Sequence, residues 1–162
     1  MLKHKLVLDE IEEDYFKLFA LHGSIEDYRL AFLLNKHLRL QLSRTRKDVD
    51  FTCDAVHVRF PLYEYFDSQK HCRYYLIANK ADGLEIVEPE TTGLFKGENR
   101  DTKPFYLLPE FHHADYFLKL EEEGNSVSER QLMENLKEIP QLATAYRIES
   151  KRIKSKKNLI FD

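Results

Sequence analysis

The sequence predicts an α+β fold with one mixed, largely antiparallel sheet and two helices packed on one of its faces. A strand–helix–strand pattern occurs near the start of the chain (Tyr15–Phe51) and again near its end (Asp115–Glu149), and a meander of short strands lies between them. In such a unit the two strands run parallel and the helix covers one sheet face. The 162 residues have the length of about one domain, and 43% of them are hydrophobic, which suits a globular core. We therefore expect a single globular domain over residues 1–162.

The first unit begins with the apolar run Tyr15–Leu21, whose aromatic content favours a strand. A short strand at Lys5–Leu8 is predicted before it. Residues 24–40 (SIEDYRLAFLLNKHLRL) have helical periodicity, with the apolar stripe Tyr28, Ala31, Leu34 and Leu38. Ser24, followed three residues later by Asp27, predicts a capped helix start.

The middle of the chain predicts a connector, a strand and a hairpin. Ser43–Lys47 is a basic connector, and Asp48–Cys53 alternates like a short strand. Val56–Phe66 and Arg73–Ala78 read as the two arms of an antiparallel hairpin. Pro61 interrupts the first arm and, because proline has no N–H to donate, indicates an edge strand or a bulge. A free edge also permits homodimerisation by sheet pairing.

The second unit follows a loop-rich stretch in which Leu84–Val87 and Pro104–Leu108 are short strands. Asp115–Glu121 alternates and predicts a strand, and Thr144–Glu149 predicts the last one. Between them, residues 128–139 predict a helix with Ser126 or Ser128 as its cap and Leu132, Leu136 and Ile139 as its stripe. The ferredoxin-like topologies are the nearest familiar analogue, and such an analogy carries no function.

The net charge, the cysteines and the lengths of the apolar runs limit the classes of protein that this sequence suits. With 25 Lys and Arg against 28 Asp and Glu, the net charge of −3 argues against nucleic acid as a bulk partner. Cys53 and Cys72 are too few for a disulfide framework and fit a reducing compartment. The start of the chain has no signal-peptide pattern, and no run approaches the roughly 18 apolar residues of a membrane span. We expect a cytoplasmic protein that does not bind membranes.

The stretch LPEFHHAD places Glu110, His112, His113 and Asp115 within six residues. Imidazoles and carboxylates bind zinc or iron, and a histidine near a carboxylate can act as a general base. The spacing is poor for either role, because neighbouring histidines on a strand point to opposite faces. The alternative is a corner, in which Pro109 forces a turn and the two acids accept backbone N–H groups. We favour the corner and keep these four residues as metal candidates.

No other motif in the sequence predicts catalysis. There is no HExxH, CxxC, GxSxG, GxGxxG or P-loop pattern, so we expect no catalytic residue of those types and no cofactor. Cys72 follows His71, but strand neighbours point apart and buried inert thiols are commoner than activated ones. Asp48 and Asp50 share a strand face and can hold a cation, although a solvated face is the simpler interpretation.

Basic residues form two clusters in this acidic protein. The first basic cluster is Arg39, Arg44, Arg46 and Lys47; the second is Lys151, Arg152, Lys154, Lys156 and Lys157. The second belongs to a basic C-terminal tail, residues 150–162, that ends in the apolar patch NLIF. If the clusters meet, they form a patch for phosphates or for an acidic protein; the alternative is an ordinary solvated tail. The apolar end predicts docking on this chain or on a partner.

The stretch Leu108-Pro109-Glu110, three residues, then Ala114-Asp115-Tyr116 resembles the signature of a bacterial protein family named for its motif, IPExxxVDY. This chain has Leu108 where the motif has isoleucine and Ala114 where the motif has valine. The segments IEDYRLAFLLNKHL, TTGLF, TAYRI and KSKKNLIF are also similar to that family, so the resemblance covers nearly the whole chain. It implies a small cytosolic protein without an assigned activity, and therefore supplies no family functional residues to carry over; the motif can mark a site or a corner that determines the fold.

Three functions remain open from the sequence. The first is a non-enzymatic binding or adaptor domain that engages a protein partner. The second is an RNA-associated accessory protein that uses the basic clusters. The third is a small metal-dependent enzyme that uses Glu110, His112, His113 and Asp115.

Overall fold

A computed structural model describes residues 16–53, 56–85, 104–123 and 126–161. The helices in these ranges are α1 (Asp27–Leu38) and α2 (Glu129–Lys137). The strands are β1 (Phe16–His22), β2 (Ser43–Arg44), β3 (Val49–Cys53), β4 (Val56–Phe60), β5 (Leu62–Asp67), β6 (Cys72–Ala78), β7 (Lys80–Asp82), β8 (Leu84–Glu85), β9 (Pro104–Tyr106), β10 (Tyr116–Glu122) and β11 (Thr144–Ile148). The predicted strand at Lys5–Leu8 lies outside the described residues. None of the described helices is long and apolar enough to cross a membrane.

The main sheet has six strands in the order β11-β1-β10-β6-β5-β2, and each neighbouring pair in it is antiparallel. This confirms the α+β class. The remaining strands form two smaller ladders, β3-β4-β8 and β7-β9, so the strands do not all belong to the one sheet that was predicted. Both β10 and β11 pair antiparallel with β1 between them, and they therefore run parallel, as expected for a strand–helix–strand unit. In the first unit the return strand in this sheet is β2, in the predicted connector, whereas β3 lies in a smaller ladder.

Both faces of the central strands β1, β10 and β6 are buried. On one face, Phe19, Leu76 and Leu118 pack against α1 and α2, which confirms that both helices cover the same face. On the opposite face, side chains such as Ile77 and Phe117 pack against β4, the turn after β9 and the C-terminal segment. Strands buried on both faces have continuous apolar runs instead of strict alternation, which explains the weak alternation in β1.

Helix α1 departs from its predicted start and from its predicted stripe. Ser24 does not cap it; the N-cap is Glu26, which makes no side-chain capping bond. Leu30, Ala31 and Leu34 are buried as the periodicity predicts, but Tyr28 is 61% exposed. The apolar residues of α1 extend around more of the helix than the sheet can cover, so one edge of the stripe remains in solvent.

Pro61 separates β4 from β5 and marks a change of sheet. β4 pairs with β3 and β8, whereas β5 pairs with β6 and β2. The predicted single arm Val56–Phe66 is therefore two strands, and only the second forms the hairpin with β6. Because proline cannot donate a ladder hydrogen bond, it is suited to this break.

The remaining sequence-based element predictions differ mainly at their boundaries. The strand predicted at Pro104–Leu108 ends at Tyr106, and of Leu84–Val87 the structure describes β8 alone. Helix α2 is capped by Ser128, whose Oγ accepts from the Gln131 N–H at 3.3 Å. Its stripe of Leu132, Leu136 and Ile139 is buried, as predicted.

Replacing Leu118 with alanine tests the double-sided core. Leu118 is fully buried on β10, and its removal leaves a cavity against the helices, so we expect the free energy of unfolding to fall by about 2–5 kcal/mol. Urea unfolding followed by circular dichroism measures this. Ile160→Ala, at a residue that is 65% exposed, is the control and should change stability by less than about 0.5 kcal/mol. Equal effects of the two substitutions would contradict the assignment of the core.

Candidate functional site

The stretch LLPEFHHADY, residues 107–116, forms the corner between β9 and β10, and we call it the corner segment. A 3₁₀ turn begins at Pro109 and ends at Phe111, and the Ala114 N–H donates to the Phe111 carbonyl at 3.0 Å. Leu108 and Ala114 are fully buried. Proline suits the first position of a helical turn because its φ is fixed and its missing N–H has no partner there.

The buried side chain of Asn79 holds the corner segment together. Its Nδ2 donates to the carbonyls of Phe111 and Ala114, both at 2.9 Å, and its Oδ1 accepts from the Leu108 N–H at 2.9 Å. The backbone of Asn79 also accepts from the Leu107 N–H and donates to the Asp115 carbonyl. Asn79 has no exposed surface, so each of these bonds replaces water that is excluded. The geometry of the turn therefore depends on this one amide.

The Glu110 carboxylate binds the C-terminal segment. It accepts from the backbone N–H groups of Lys154 and Ser155, at 2.9 and 2.8 Å, and from the Ser155 hydroxyl at 3.1 Å. Burial alone raises the pKa of Glu110, but the hydrogen bonds from Ser155, Glu110 itself and Lys154 outweigh it, and the pKa lies below its usual value. Glu110 is therefore a charged structural clamp.

Asp115 and Tyr116 bind the loop that leads into α1. The Asp115 Oδ2 accepts from the Gly23 N–H at 2.8 Å, and its Oδ1 lies 3.4 Å from the Lys80 ammonium. The Tyr116 hydroxyl donates to the Ile25 carbonyl, and burial raises the pKa of Tyr116 to about 12. These contacts fix the chain just before α1, where Ser24 makes no cap.

The two histidines do not join these acids. His112 and His113 are exposed in a turn, with ring centroids 3.8 Å apart, so they do not point to opposite faces as they would on a strand. Glu110 and Asp115 are turned to different segments of the chain. Among the described residues, no group of three or more His, Cys, Asp or Glu side chains is placed to hold a metal ion. The corner segment therefore has the arrangement of a structural brace.

The other weak candidates have structural partners as well. Cys72 is buried, its Sγ lies 3.3 Å from the Lys70 carbonyl as a donor, and burial raises the pKa of its thiol. Asp48 binds Arg44 at 2.7 Å, and Asp50 lies 3.6 Å from the Arg59 guanidinium. Asp48 is thus paired closely with an arginine, and Asp50 lies beside another.

The C-terminal segment is docked on the sheet. Ile153 and Leu159 are buried among core residues, and the Lys119 ammonium donates to the Leu159 carbonyl at 2.7 Å. Lys119 also lies 2.6 Å from Glu121 and within 5.1–5.4 Å of three ring centroids, those of Phe16, Tyr75 and Phe161. A buried cation surrounded by a carboxylate and aromatic faces is well compensated. Two apolar residues of the NLIF end, Leu159 and Phe161, therefore pack on this chain.

The basic clusters lie on different elements. Arg44 belongs to β2 at one edge of the main sheet, with Arg46 and Lys47 in the following turn, and Arg39 is the left-handed C-cap of α1 (φ 56°). The second cluster follows β11 at the opposite edge. There, Lys151 lies 3.3 Å from Glu149, and the Arg152 guanidinium lies over the Phe111 ring. That the two clusters form one patch stays a prediction.

The outer face of α1 is an apolar surface that the sequence did not reveal. Tyr28 and Phe32 are 61% and 66% exposed, one helical turn apart. With Arg29, Leu33 and Gln141 they line a groove of about 400 Å³, which we call the α1 groove. The signal in the sequence is an aromatic pair four residues apart beside Lys36, but periodicity placed Tyr28 in the buried stripe and made no assignment for Phe32.

Comparisons of the chain with protein families, curated proteins and solved structures find no match. The resemblance to the IPExxxVDY family therefore stays a prediction.

Replacing Asn79 with alanine tests the corner segment. The substitution leaves the Leu108 N–H and the Ala114 carbonyl without partners and removes one of the two hydrogen bonds to the Phe111 carbonyl, so we expect the free energy of unfolding to fall by about 2–4 kcal/mol. Asn79→Asp should be no better, because a carboxylate cannot donate to those carbonyls. Chemical denaturation measures both. Asn135→Ala, on α2, is the matched control, and an Asn79→Ala protein as stable as that control would refute the role of this amide.

Replacing Glu110 with glutamine tests the clamp on the C-terminal segment. Folding lowers the pKa of Glu110 below its ordinary value of 4.5, so its charge stabilises the fold fully above that value. This contribution is lost as the pH falls through the folded pKa. We expect Glu110→Gln to cost about 1–2 kcal/mol at pH 7 and the deficit to shrink between about pH 5 and 3. Unfolding curves across this range measure it; a deficit independent of pH would contradict the charged clamp.

Proposed function

We propose that this protein is a non-enzymatic binding domain that engages a protein partner through the outer face of α1. The observation that carries the proposal is the exposure of Tyr28 and Phe32, which line an apolar groove on an otherwise well-packed domain. Exposed aromatic side chains beside a groove are typical of protein interaction sites. The acids that suggested catalysis are engaged with the backbone instead.

The geometry of α1 supports a contiguous surface. At about 100° per residue, Tyr28, Arg29, Phe32, Lys36 and Arg39 fall within an arc of about 100°. All five are exposed. The buried Leu30, Ala31 and Leu34 lie on the remaining side of the helix and fix this arc toward solvent.

Charge on this face indicates the kind of partner. Arg29, Lys36 and Arg39 are the charged residues within the arc, and all are cationic. Arg29 has a long contact, 3.5 Å, with the exposed Glu26 outside the arc. The complement is an acidic segment with apolar side chains that insert beside Tyr28 and Phe32. Arg39, from the first basic cluster, thereby becomes part of a protein-binding face.

The structure gives less support to the metal-dependent enzyme. It would need Glu110, His112, His113 and Asp115 to converge, and the two acids instead hold separate segments. RNA binding remains an alternative that rests on the basic clusters.

Membership of the IPExxxVDY family and a cytoplasmic location belong to the same proposal. The motif positions have structural roles in this fold. Leu108 and Ala114 are buried, Glu110 binds the C-terminal segment, and Asp115 and Tyr116 bind the loop before α1. The buried thiol of Cys72 is in keeping with a reducing compartment.

Crosslinking in cells tests the proposal with the full chain. Cells of the source organism express the wild type or the Tyr28→Ser/Phe32→Ser variant, and crosslinked proteins are quantified by mass spectrometry. We expect at least one protein whose capture falls at least about tenfold in the variant, because truncating central aromatic anchors removes most of the binding energy. The crosslinked segment of that protein should be acidic and contain apolar residues.

Phe66→Ser is the matched control, because Phe66 is 40% exposed on β5 and outside the groove. It should leave capture unchanged, and both variants should keep the wild-type melting temperature within about 2 °C. Equal capture by the groove variant and the wild type, or capture only of a second copy of this chain, would defeat the proposal.

A further inference from the structure

A second concave surface lies between the turn after β2 and the β3–β4 hairpin. It has a volume of about 460 Å³ and is lined by Arg44, Arg46, Lys47 and Arg59, together with Asp48 and Asp50. We call it the Arg44 cleft. Four cations against two carboxylates leave a net charge of +2 on its charged lining. The volume lies within the range of small-molecule sites, about 300–1,000 Å³.

Each carboxylate in the cleft lies beside an arginine, and Asp48 is hydrogen-bonded to Arg44. Asp48 accepts from both Nη2 and Nε of Arg44, at 2.7 and 3.3 Å. Asp50 lies 3.6 Å from the Arg59 Nε, which also donates to the His57 Nε2 at 3.0 Å. An arginine held on one side by a carboxylate keeps its remaining N–H groups in a fixed direction.

Arg44 is anchored from a second direction. The Asp27 carboxylate lies 3.9 Å from its Nη1 and accepts from the Tyr63 hydroxyl at 3.1 Å. The guanidinium also lies over the Tyr63 ring, 5.9 Å from the centroid. The hydrogen bond to Asp48 raises the pKa of Arg44, so the guanidinium stays protonated. Arg44 is therefore the fixed element of the cleft.

Arg46 and Lys47 are the available cations. Both are exposed, and neither forms an ion pair with any residue in the described part of the chain. They follow Arg44 in a short turn that the Thr45 N–H ties to the Leu62 carbonyl of β5 at 2.9 Å. Two exposed cations beside the anchored guanidinium of Arg44 and the exposed guanidinium of Arg59 suit a ligand with several anionic oxygens.

We infer that the Arg44 cleft binds a phosphate group, with Arg44 as the fixed donor and Arg46, Lys47 and Arg59 as exposed cations around the anion. The phosphate belongs either to a small phosphorylated molecule or to an RNA backbone, because both present the same oxygens. This site is separate from the α1 groove and does not depend on the function proposed for it.

Titrations of the purified full chain test the inference. The probes are inorganic pyrophosphate, a mononucleotide and a single-stranded oligouridine of twelve residues, each followed by amide ¹H–¹⁵N chemical shifts. We expect shifts at residues 44–48 and 59, and at least an approximately tenfold weaker affinity in Arg46→Ser/Lys47→Ser, because two charged contacts are lost. Both substitutions are at exposed residues, so the fold should persist.

Arg130→Ser/Lys137→Ser on α2 removes the same charge outside the cleft and should leave the affinity unchanged. If pyrophosphate or the mononucleotide binds and RNA binds no better, the ligand is a small phosphorylated molecule. If RNA binds better, its salt slope should fall by about 1.4 in the cleft variant, since each phosphate contact on a single strand contributes about 0.7.

Absence of amide shifts with all three probes would overturn the inference. Shifts confined to residues outside 44–48 and 59, or equal weakening by the α2 control, would do the same. Tyr28→Ser/Phe32→Ser should bind the phosphate probes like the wild type, so failure at the cleft and failure at the α1 groove are distinguishable.

Discussion

The amide of Asn79 occupies the position on which the surrounding structure depends. Three side-chain hydrogen bonds from this buried group close the turn between β9 and β10. Because the turn is closed, Glu110 points toward the C-terminal segment and Asp115 toward the loop before α1. An isolated polar group in this core would be costly, but one with its bonding capacity filled fixes a unique arrangement. Local chemistry at one residue thereby organises segments that are far apart in sequence.

This arrangement has a direct consequence for function. A carboxylate that accepts two backbone N–H groups is neither a convenient metal ligand nor a general base, since its lone pairs and charge are already engaged. The residues that first suggest chemistry in the sequence are thus used to build the fold. The surfaces that we propose for recognition are the α1 groove, where apolar and cationic side chains meet, and the Arg44 cleft, where Asp48 orients Arg44.

Much of the fold follows from the hydrophobic periodicity of the sequence and from the positions of its prolines. The two helices, their order among the strands and the side of the sheet that they cover follow from stripes such as Leu132, Leu136 and Ile139 and from strand patterns on either side. The break at Pro61 was visible because proline lacks an N–H, but the pattern alone does not say that the chain changes sheet there. The second core layer was not predicted. A continuous apolar run indicates that both faces of a strand are buried, but it does not identify the elements that cover them.

For the corner segment, the sequence by itself determined that Pro109 turns the chain and that the adjacent acids accept backbone groups, since both properties belong to the residue types. Only the tertiary structure decided which groups they accept. The partner of Glu110 is 45 residues away and that of Asp115 is 92 residues away, and such pairings arise from the sheet order.

The tertiary structure also decided the burial of Asn79 and the exposure of Tyr28. In the sequence, Asn79 looks like an ordinary turn residue after an apolar strand, and Tyr28 looks like part of a buried stripe. Burial depends on which elements pack together, and a helix pattern does not record where its neighbours end.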